Sequence, residues 1–367
     1  MVSPRRRHLV TLVCCATLAL PASTAVADTA APNPTPSTRT SGWAAPGDGV
    51  ARVPVPAKAR AVNTSDPDRY IGRGTPASCT SAAVVRAVAA GGVIRFNCGP
   101  DPVTIRLKST AKVVNAHGPR VVLDGRGLVT LDGGNARRIL YMNTCDPRQG
   151  WTTSHCDNQN SPRLVVQNLR FAHGNSTGAT YDGGGGGAIF VRGGRVKIVN
   201  SQFRANRCER RGPDIGGAAV RVLSQFDGRP VYVVNSSFSG GRCSNGSAIS
   251  SIGVSWVVLN SVFTNNRAVG HGANPARSGT QGGGSGGAIY LDGNRFTLSL
   301  RGTEITDNVA NEGGGAVFFV SNDRTGRMAI AHSTLRRNDS LGFETAGLPG
   351  IFFLGARAPR VTSSIVK

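Results

Sequence analysis

Arginine, histidine and acidic side chains recur in five irregular segments of the chain, residues 172–186, 207–216, 239–246, 267–286 and 339–348. They are His173, Asp182, Arg207, Arg210, Arg211, Asp214, Arg242, Arg267, His271, Arg277 and Glu344. An arginine presents a planar fork of donors that suits carboxylates and sulfates. A histidine can act as a general base, and aspartate oxygens can bind Ca²⁺. These residue types indicate contact with an acidic ligand.

Specific roles follow from this chemistry. His271, in Gly270-His271-Gly272, is the first candidate for a base, and the candidate catalytic residues are His271, Arg267 and Arg277. The candidate ligand-binding residues are Arg207, Arg210, Arg242 and His173. Asp182 and Asp214 precede neighbouring apolar strands and are the candidate ligands of a Ca²⁺ ion. The alternatives are a solvated or structural histidine, solvated arginines, and aspartates that cap turns or pair with Arg211.

A short phrase recurs six times around these segments. Its first half is apolar, ends in Phe or an aliphatic residue, and spans 165–171, 198–203, 233–238 and 257–263, with looser copies near Ile305 and Leu335. Its second half reads Gly/Ser-Ala-Ile or a variant, at 187–191, 217–220, 247–249, 287–290, 315–318 and 350–352. The Phe positions lie 25 to 42 residues apart. A repeat of this length predicts a solenoid.

Alternation within the copies predicts strands and disfavours a helical solenoid. We therefore expect an all-β parallel β-helix, in which each copy forms one coil and like residues stack. Asn206, Asn266, Asn308 and Asn338 recur three residues after the Phe position and are expected to hold a turn. The irregular segments all fall between the two halves of a copy, so stacked coils would gather them on one side.

The chain divides into three parts by composition. Residues 1–27 have the arginines, apolar stretch and small-residue end of a secretory signal peptide, which predicts a secreted protein. Residues 28–65 are rich in Pro, Ala, Thr and Ser and are predicted to be a disordered linker. Residues 66–367 are predicted to be a single β-helix domain. Its amphipathic segment 78–90, with Ala82, Val85, Val88 and Ala89 on one face, is predicted to be a capping helix.

Six cysteines remain after residue 27, and an even number in a secreted chain favours disulfides. Fifteen pairings are possible, and pairing between neighbours fits the solenoid best. The expected pairs are Cys79–Cys98, Cys145–Cys156 and Cys208–Cys243. The last two cysteines each lie five residues after a Phe of adjacent copies, so they would stack.

The formal net charge of +22 indicates that the protein attracts polyanions. A general bias of composition toward arginine is the alternative explanation. Few aromatic residues and no recognition helix argue against nucleic acid, and an acidic polysaccharide fits an exported protein better. No apolar stretch is long enough to predict membrane insertion.

Residues 121–127, 164–171 and the Asn-Ser-Xaa-Phe and Gly-Gly-Ala-Ile copies resemble the right-handed parallel β-helix superfamily, which includes secreted pectate lyases. The Gly-Gly-Ala-Ile half also resembles repeats of polymorphic outer-membrane adhesins. The resemblance covers residues 78–367 and implies a right-handed coil. The chain departs from pectate lyases because it lacks their Asp-His pair and Arg-Xaa-Pro-Xaa-Xaa-Arg stretch, and it lacks the paired aspartates of polygalacturonases.

Two hypotheses about function remain. The first is a polysaccharide lyase that cleaves a uronic-acid-containing polymer by β-elimination, in which arginines neutralise the carboxylate and His271 takes the proton. The second is a non-catalytic, adhesin-like β-helix that binds a polysaccharide or a cell surface. The one-sided segments with histidine and arginine favour the first, and the missing lyase motifs favour the second.

Overall fold

The structure is a computed structural model that describes residues 52–179 and 181–367. All of these belong to one compact unit, Trp43–Lys367. The predicted signal peptide and the linker up to residue 51 lie outside the described residues.

The described chain contains one α-helix and 29 strands, most of them short. The helix is α1 (Ser81–Ala90), and short 3-10 turns span Ala57–Ala59, Pro76–Ser78, Pro147–Gln149, Cys156–Asn158 and Phe226–Gly228. The first strands are β1 (Arg69–Ile71), β2 (Gly92–Phe96), β3 (Val103–Arg106), β4 (Ala111–Lys112), β5 (Arg120–Asp132), β6 (Leu140–Asn143), β7 (Arg163–Ala172), β8 (Ile189–Arg192), β9 (Arg195–Val199), β10 (Gln202–Arg204), β11 (Val220–Val222), β12 (Val231–Val234), β13 (Ser237–Ser239) and β14 (Arg242–Cys243). The others are β15 (Ile249–Ile252), β16 (Trp256–Leu259), β17 (Val262–Thr264), β18 (Arg267–Ala268), β19 (Ile289–Gly293), β20 (Thr297–Arg301), β21 (Glu304–Thr306), β22 (Val309–Ala310), β23 (Val317–Ser321), β24 (Arg327–Ala331), β25 (Thr334–Arg336), β26 (Asp339–Ser340), β27 (Ile351–Leu354), β28 (Arg360–Thr362) and β29 (Ile365–Val366).

The strands form three sheets of 17, 8 and 4 strands, and the strand pairs within them are parallel. The 8-stranded sheet has the order β27-β23-β19-β15-β11-β8-β6-β4, and the 4-stranded sheet has the order β14-β18-β22-β26. Partners within a sheet come from successive copies of the repeat, as Phe203 and Phe238 do. The prediction of an all-β, solenoid-like fold with long parallel sheets is therefore confirmed.

Like residues stack in the core, as the repeat predicts. The rings of Phe171, Phe203, Phe238 and Phe263 are fully buried and lie 4.7 to 4.9 Å apart between centroids. In the 8-stranded sheet the buried aliphatic residues at 140, 189, 220, 249, 289, 317 and 351 are in register. This stacking buries apolar surface in every coil, which is the main driving force for the fold.

The recurrent asparagines hold the turn after the Phe strand, as expected. The side chain of Asn266 donates to Asn308 Oδ1 at 2.9 Å, and Asn308 donates to Asn338 Oδ1 at the same distance. Asn206 accepts from the backbone N–H of Gly174. These side chains are buried, so their polar groups are satisfied by each other and by the backbone of neighbouring coils.

Helix α1 begins after Thr80, whose hydroxyl accepts from the Ala83 N–H, and ends before Gly91. Its buried residues are Val84, Ala87 and Val88. The predicted face was wrong at Ala82, which is exposed, and was correct at Val88. The helix packs toward β1 and β4, and Val85 of the predicted face is partly buried against the core.

The three expected disulfides are confirmed, as Cys79–Cys98, Cys145–Cys156 and Cys208–Cys243. The last pair joins neighbouring coils, because Arg207 and Arg242, which precede the two cysteines, are bridge partners. No described helix has the length and apolar character needed to span a bilayer.

Residues 53–64, called here the N-terminal strap, fall in the predicted linker but cross the outside of the 17-stranded sheet. Val53 exchanges two hydrogen bonds with the side chain of Asn260, and Val62 exchanges two with Gln167. Ala59 is fully buried among Val199, Val234 and Leu259. Composition alone does not indicate these contacts, because their partners lie 100 to 200 residues further along the chain.

Candidate functional site

The irregular segments lie along one flank of the molecule. Each lies between a strand of the 17-stranded sheet, such as β10 or β17, and a strand of the 8-stranded sheet, such as β11 or β19, and three of them contain short strands of the 4-stranded sheet, β14, β18 and β26. Since both sets of strands are stacked in register, the segments between them are stacked as well. We call this side the loop flank.

The segment that carries His271 and Arg277 folds into a small antiparallel finger. His271 pairs with Gly282 and Ala273 with Gly283. The backbone groups of Ala273 and Gly283 exchange two hydrogen bonds of 2.9 Å. Gly272 has φ of +106° with Thr280 against it, so a side chain would fit there only with strain. The finger fixes the position of His271 relative to the sheet.

Glu312 lies beneath this finger and binds both His271 and Arg277. Its side chain is only 4% exposed, and His271 Nδ1 lies 3.0 Å from Glu312 Oε1. Arg277 donates to both carboxylate oxygens, at 2.8 and 3.0 Å, and the Gly272 N–H donates at 2.8 Å. Burial acts to raise the pKa of Glu312, but these hydrogen bonds and the Arg277 charge outweigh it and hold the pKa below its ordinary value.

This arrangement has a defined chemical consequence. Because Glu312 binds Nδ1, it favours the tautomer in which Nδ1 carries the proton and Nε2 is a free acceptor. The imidazole itself is 74% exposed, so an external ligand can reach it. Arg277 holds the carboxylate, and its own charge is compensated by that contact. Two of the three predicted catalytic residues, His271 and Arg277, therefore meet at one buried carboxylate.

A groove of about 440 Å³ lies beside His271. Its walls include Arg210 and Arg211 from segment 207–216 and Thr280 and Gln281 from the finger. Both arginines are exposed. The structure thus brings predicted residues His271 and Arg210 together, with Arg211 added, and we call this cavity the His271 groove.

Arg207, Arg242 and Arg267 form a stack that we call the first arginine ladder. Arg207 and Arg242 are bridge partners, and Arg242 and Arg267 are partners of β14 and β18. Neighbouring strands lie about 4.8 Å apart, so the three exposed guanidinium groups share one face. Within the described part of the chain, none of the three forms an ion pair with a carboxylate. Arg267, a predicted catalytic residue, thus belongs with the predicted binding residues.

His173 lies apart from the His271 groove. Its Nδ1 is 2.9 Å from Asp132 Oδ2, and its backbone has φ of +51°. The equivalent positions of later coils, such as Ala205 and Asn265, also have positive φ. His173 therefore occupies a turn position of the repeat, and its role in ligand binding stays a prediction.

The two predicted Ca²⁺ ligands already have separate partners. Asp182 is buried and forms an ion pair of 2.9 Å with Arg138, and its other oxygen accepts from Gly184. Asp214 is exposed and accepts from Asn274. Ca²⁺ takes six to eight oxygen ligands around one point, and this donor set does not fit that need. In the described residues, the one group of three metal-ligating side chains contains Cys145 and Cys156, which are joined in a disulfide.

Three functional features escaped the sequence analysis. Glu312 is the single carboxylate in the run Asn311 to Gly315, and this is the only feature of the sequence that could mark it as a site residue. Arg138, which neutralises Asp182 and donates to the Gly186 carbonyl, comes from outside the irregular segments. Nothing in its local sequence indicates a partner 44 residues away.

A polar cluster under the finger is the third feature. Asn274 donates to Asp214, to Tyr290 and to Asp292. Tyr290 donates to Asp292 at 3.1 Å, and burial raises the pKa of Asp292 above its ordinary value. Arg221, 2% exposed, lies nearby, and burial lowers its pKa to about 10. The cluster anchors the finger to strand β19 and so helps to place His271.

No family model matches this chain, and neither the curated proteins nor the solved structures searched contain a match to it.

Proposed function

We propose that the protein is a secreted right-handed parallel β-helix that binds a uronic-acid-containing polysaccharide on its loop flank and cleaves it by β-elimination. The observation that carries the proposal is the contact of His271 with buried Glu312, beside a groove walled by Arg210 and Arg211. The register of parallel strands between successive repeats supports the coil. The three disulfides and the predicted signal peptide support export.

The proposed reaction uses groups of this chain alone. Arg210 and Arg211 neutralise the uronic carboxylate, which makes the neighbouring C5 proton more acidic. Nε2 of His271 takes that proton, and the electrons of the C5–H bond form a double bond between C4 and C5. The bond from C4 to the glycosidic oxygen breaks, and the imidazolium returns the proton to the leaving oxygen. Glu312 keeps the imidazole oriented and stabilises its charge.

The first arginine ladder supplies polymer binding in this proposal. Its three exposed guanidinium groups follow the coil axis, so they can contact successive carboxylates of one chain. This ladder also favours a second candidate function, a β-helix that binds the same polymer without cleaving it. The two candidates differ in the need for His271.

Incubation with pectate, alginate, hyaluronan and glucuronan, with and without Ca²⁺, tests the proposal. Eliminative cleavage creates an unsaturated uronide that absorbs in the ultraviolet, so we expect absorbance to rise with at least one polymer. A His271→Ala variant should lose this activity, and exposed His155 provides the matched control His155→Ala. Binding with no rise in absorbance would favour the second candidate. Activity retained by His271→Ala would refute the assigned base.

A further inference from the structure

A second stack of arginines runs along a different edge of the molecule. Arg120 of β5, Arg163 of β7 and Arg195 of β9 are register partners in the 17-stranded sheet. Arg229 lies just before β12, which pairs with β9. We call these four residues the second arginine ladder. Because adjacent strands are about 4.8 Å apart, four successive coils each place one cation along this edge.

The described residues provide no ion-pair partner for the second arginine ladder. Over residues 52–179 and 181–367, no carboxylate lies within ion-pair distance of any of its four guanidinium groups. Arg163 Nε donates only to the carbonyl of Asn160, and the buried Arg195 Nε has no hydrogen-bond partner. Burial, with the charges of Arg163 and Arg229, lowers the pKa of Arg195. A bound anion would relieve the repulsion between these cations.

Two cavities lie beside the second arginine ladder. Their volumes are about 270 and 610 Å³, and both have Arg163 as a wall residue. The smaller is lined by Leu164, Pro230 and Tyr232 in addition to arginines, and Lys58 of the N-terminal strap closes one side. Lys58 Nζ lies 5.6 Å from the centroid of the Tyr232 ring. The smaller cavity is therefore a groove with cationic walls and a partly apolar floor, and the larger one is lined by Asp68 as well as by arginines.

We propose that the second arginine ladder holds a linear acidic polysaccharide at a site separate from the His271 groove. Guanidinium forks match carboxylates along such a chain, and the apolar floor with Tyr232 suits the C–H faces of sugar rings. The choice of a uronic polymer over other polyanions rests on the proposed function. Contact at two sites raises the effective concentration of the polymer near the loop flank.

Calorimetric titration with a short oligogalacturonate can count the sites. All proteins should carry His271→Ala, so that the ligand is not degraded. We expect two sites per chain, and we expect the variant Arg163→Gln/Arg229→Gln to keep only one. The variant Arg210→Gln/Arg211→Gln should weaken the other site, on the loop flank, and leave the second arginine ladder unaffected. Arg357→Gln/Arg360→Gln removes the same charge from exposed arginines elsewhere and should keep both sites.

The outcomes separate this proposal from the proposed function. If the His271 groove does not bind the ligand but the second arginine ladder does, the protein that carries only His271→Ala shows one site. Arg163→Gln/Arg229→Gln then abolishes that site. A site count unchanged by that variant, or reduced equally by the Arg357→Gln/Arg360→Gln control, overturns the second site. Circular dichroism verifies that each variant is folded. A single-stranded DNA of equal charge that binds the second arginine ladder more tightly than the oligogalacturonate overturns the ligand class.

Discussion

The loop flank and the second arginine ladder use the same side chain in different ways. On the loop flank, Arg138 and Arg277 each bind a buried carboxylate, Asp182 or Glu312, and so hold a loop against the sheet. Along the second arginine ladder, Arg120, Arg163 and Arg195 lie on regular strands and Arg229 lies just before β12, and none of the four forms an ion pair with a carboxylate of the described residues. On the loop flank, arginines thus hold loops as well as forming the exposed first arginine ladder, whereas the second arginine ladder consists of available donors alone.

The difference shows what each region can do. Proton transfer requires a base held in one orientation, and the loop flank provides this through Glu312 and the finger. Binding a polyanion requires only unpaired cations at regular spacing, which stacked strands supply without any special loop. The four predictions below test this contrast, beginning with the largest effect.

Replacing Arg138 should destabilise the protein far more than replacing Arg163. Arg138→Ala leaves Asp182 buried with an unpaired charge, which typically costs about 3–5 kcal/mol. Arg163 is exposed, so Arg163→Ala should change the free energy of unfolding by no more than about 0.5 kcal/mol. Urea unfolding of the two variants measures both values. Equal losses in the free energy of unfolding would show that the ion pair of Arg138 with Asp182 does not hold the loop against the sheet.

Glu312→Gln should reduce the eliminative activity more than it reduces polymer binding. An amide cannot stabilise the imidazolium as a carboxylate does, so we expect kcat to fall by about 10- to 100-fold, less than the roughly 10²- to 10⁴-fold that a general base itself contributes. KM should stay nearly constant. If Glu312→Gln weakened polymer binding, seen as a higher KM, and left kcat unchanged, Glu312 would have a structural role only. Glu304→Gln serves as a matched control.

Lowering the pH should detach the finger from Glu312 while the arginines of the second arginine ladder are still charged. The pKa of Glu312 is held below the ordinary glutamate value of 4.5, so its contribution to stability is present above that value and is lost as the pH falls through the folded-state pKa. The arginines of the ladder stay charged in this range. Hydrogen exchange of the Gly272 amide, compared between wild type and Glu312→Gln, measures the release. If hydrogen exchange at Gly272 depended on pH in the same way in both proteins, protonation of Glu312 would not be what detaches the finger.

Arg207→Gln should weaken polymer binding by a small amount. One exposed guanidinium of the first arginine ladder contributes about 0.2–1 kcal/mol, which corresponds to a change of at most about fivefold in Kd. The salt dependence of binding should decrease as well. Titration at two salt concentrations, with Arg357→Gln as the control, measures this effect. A rise in Kd well beyond about fivefold, or an unchanged salt dependence, would contradict the small contribution expected of this single exposed cation.

Much of the fold could be predicted because each repeat carries the same local information. The Phe, Asn and Cys positions recur at matching places, so stacking the copies brings Phe203 onto Phe238 and Cys208 onto Cys243. The site could be predicted only in part. His271, Arg277 and Arg210 were recognised by residue type, whereas Glu312 and Arg138 were not, because their partners lie in other coils.

The solenoid-like stack of parallel strands, the asparagine turns and the three disulfides follow from the repeat, since these features depend on a pattern that recurs from copy to copy. The folded chain is needed to see which carboxylate meets His271, where the N-terminal strap lies, and that Arg120, Arg163 and Arg195 share one edge. Those contacts depend on the paths of irregular segments and on the register between distant strands, which no local pattern encodes.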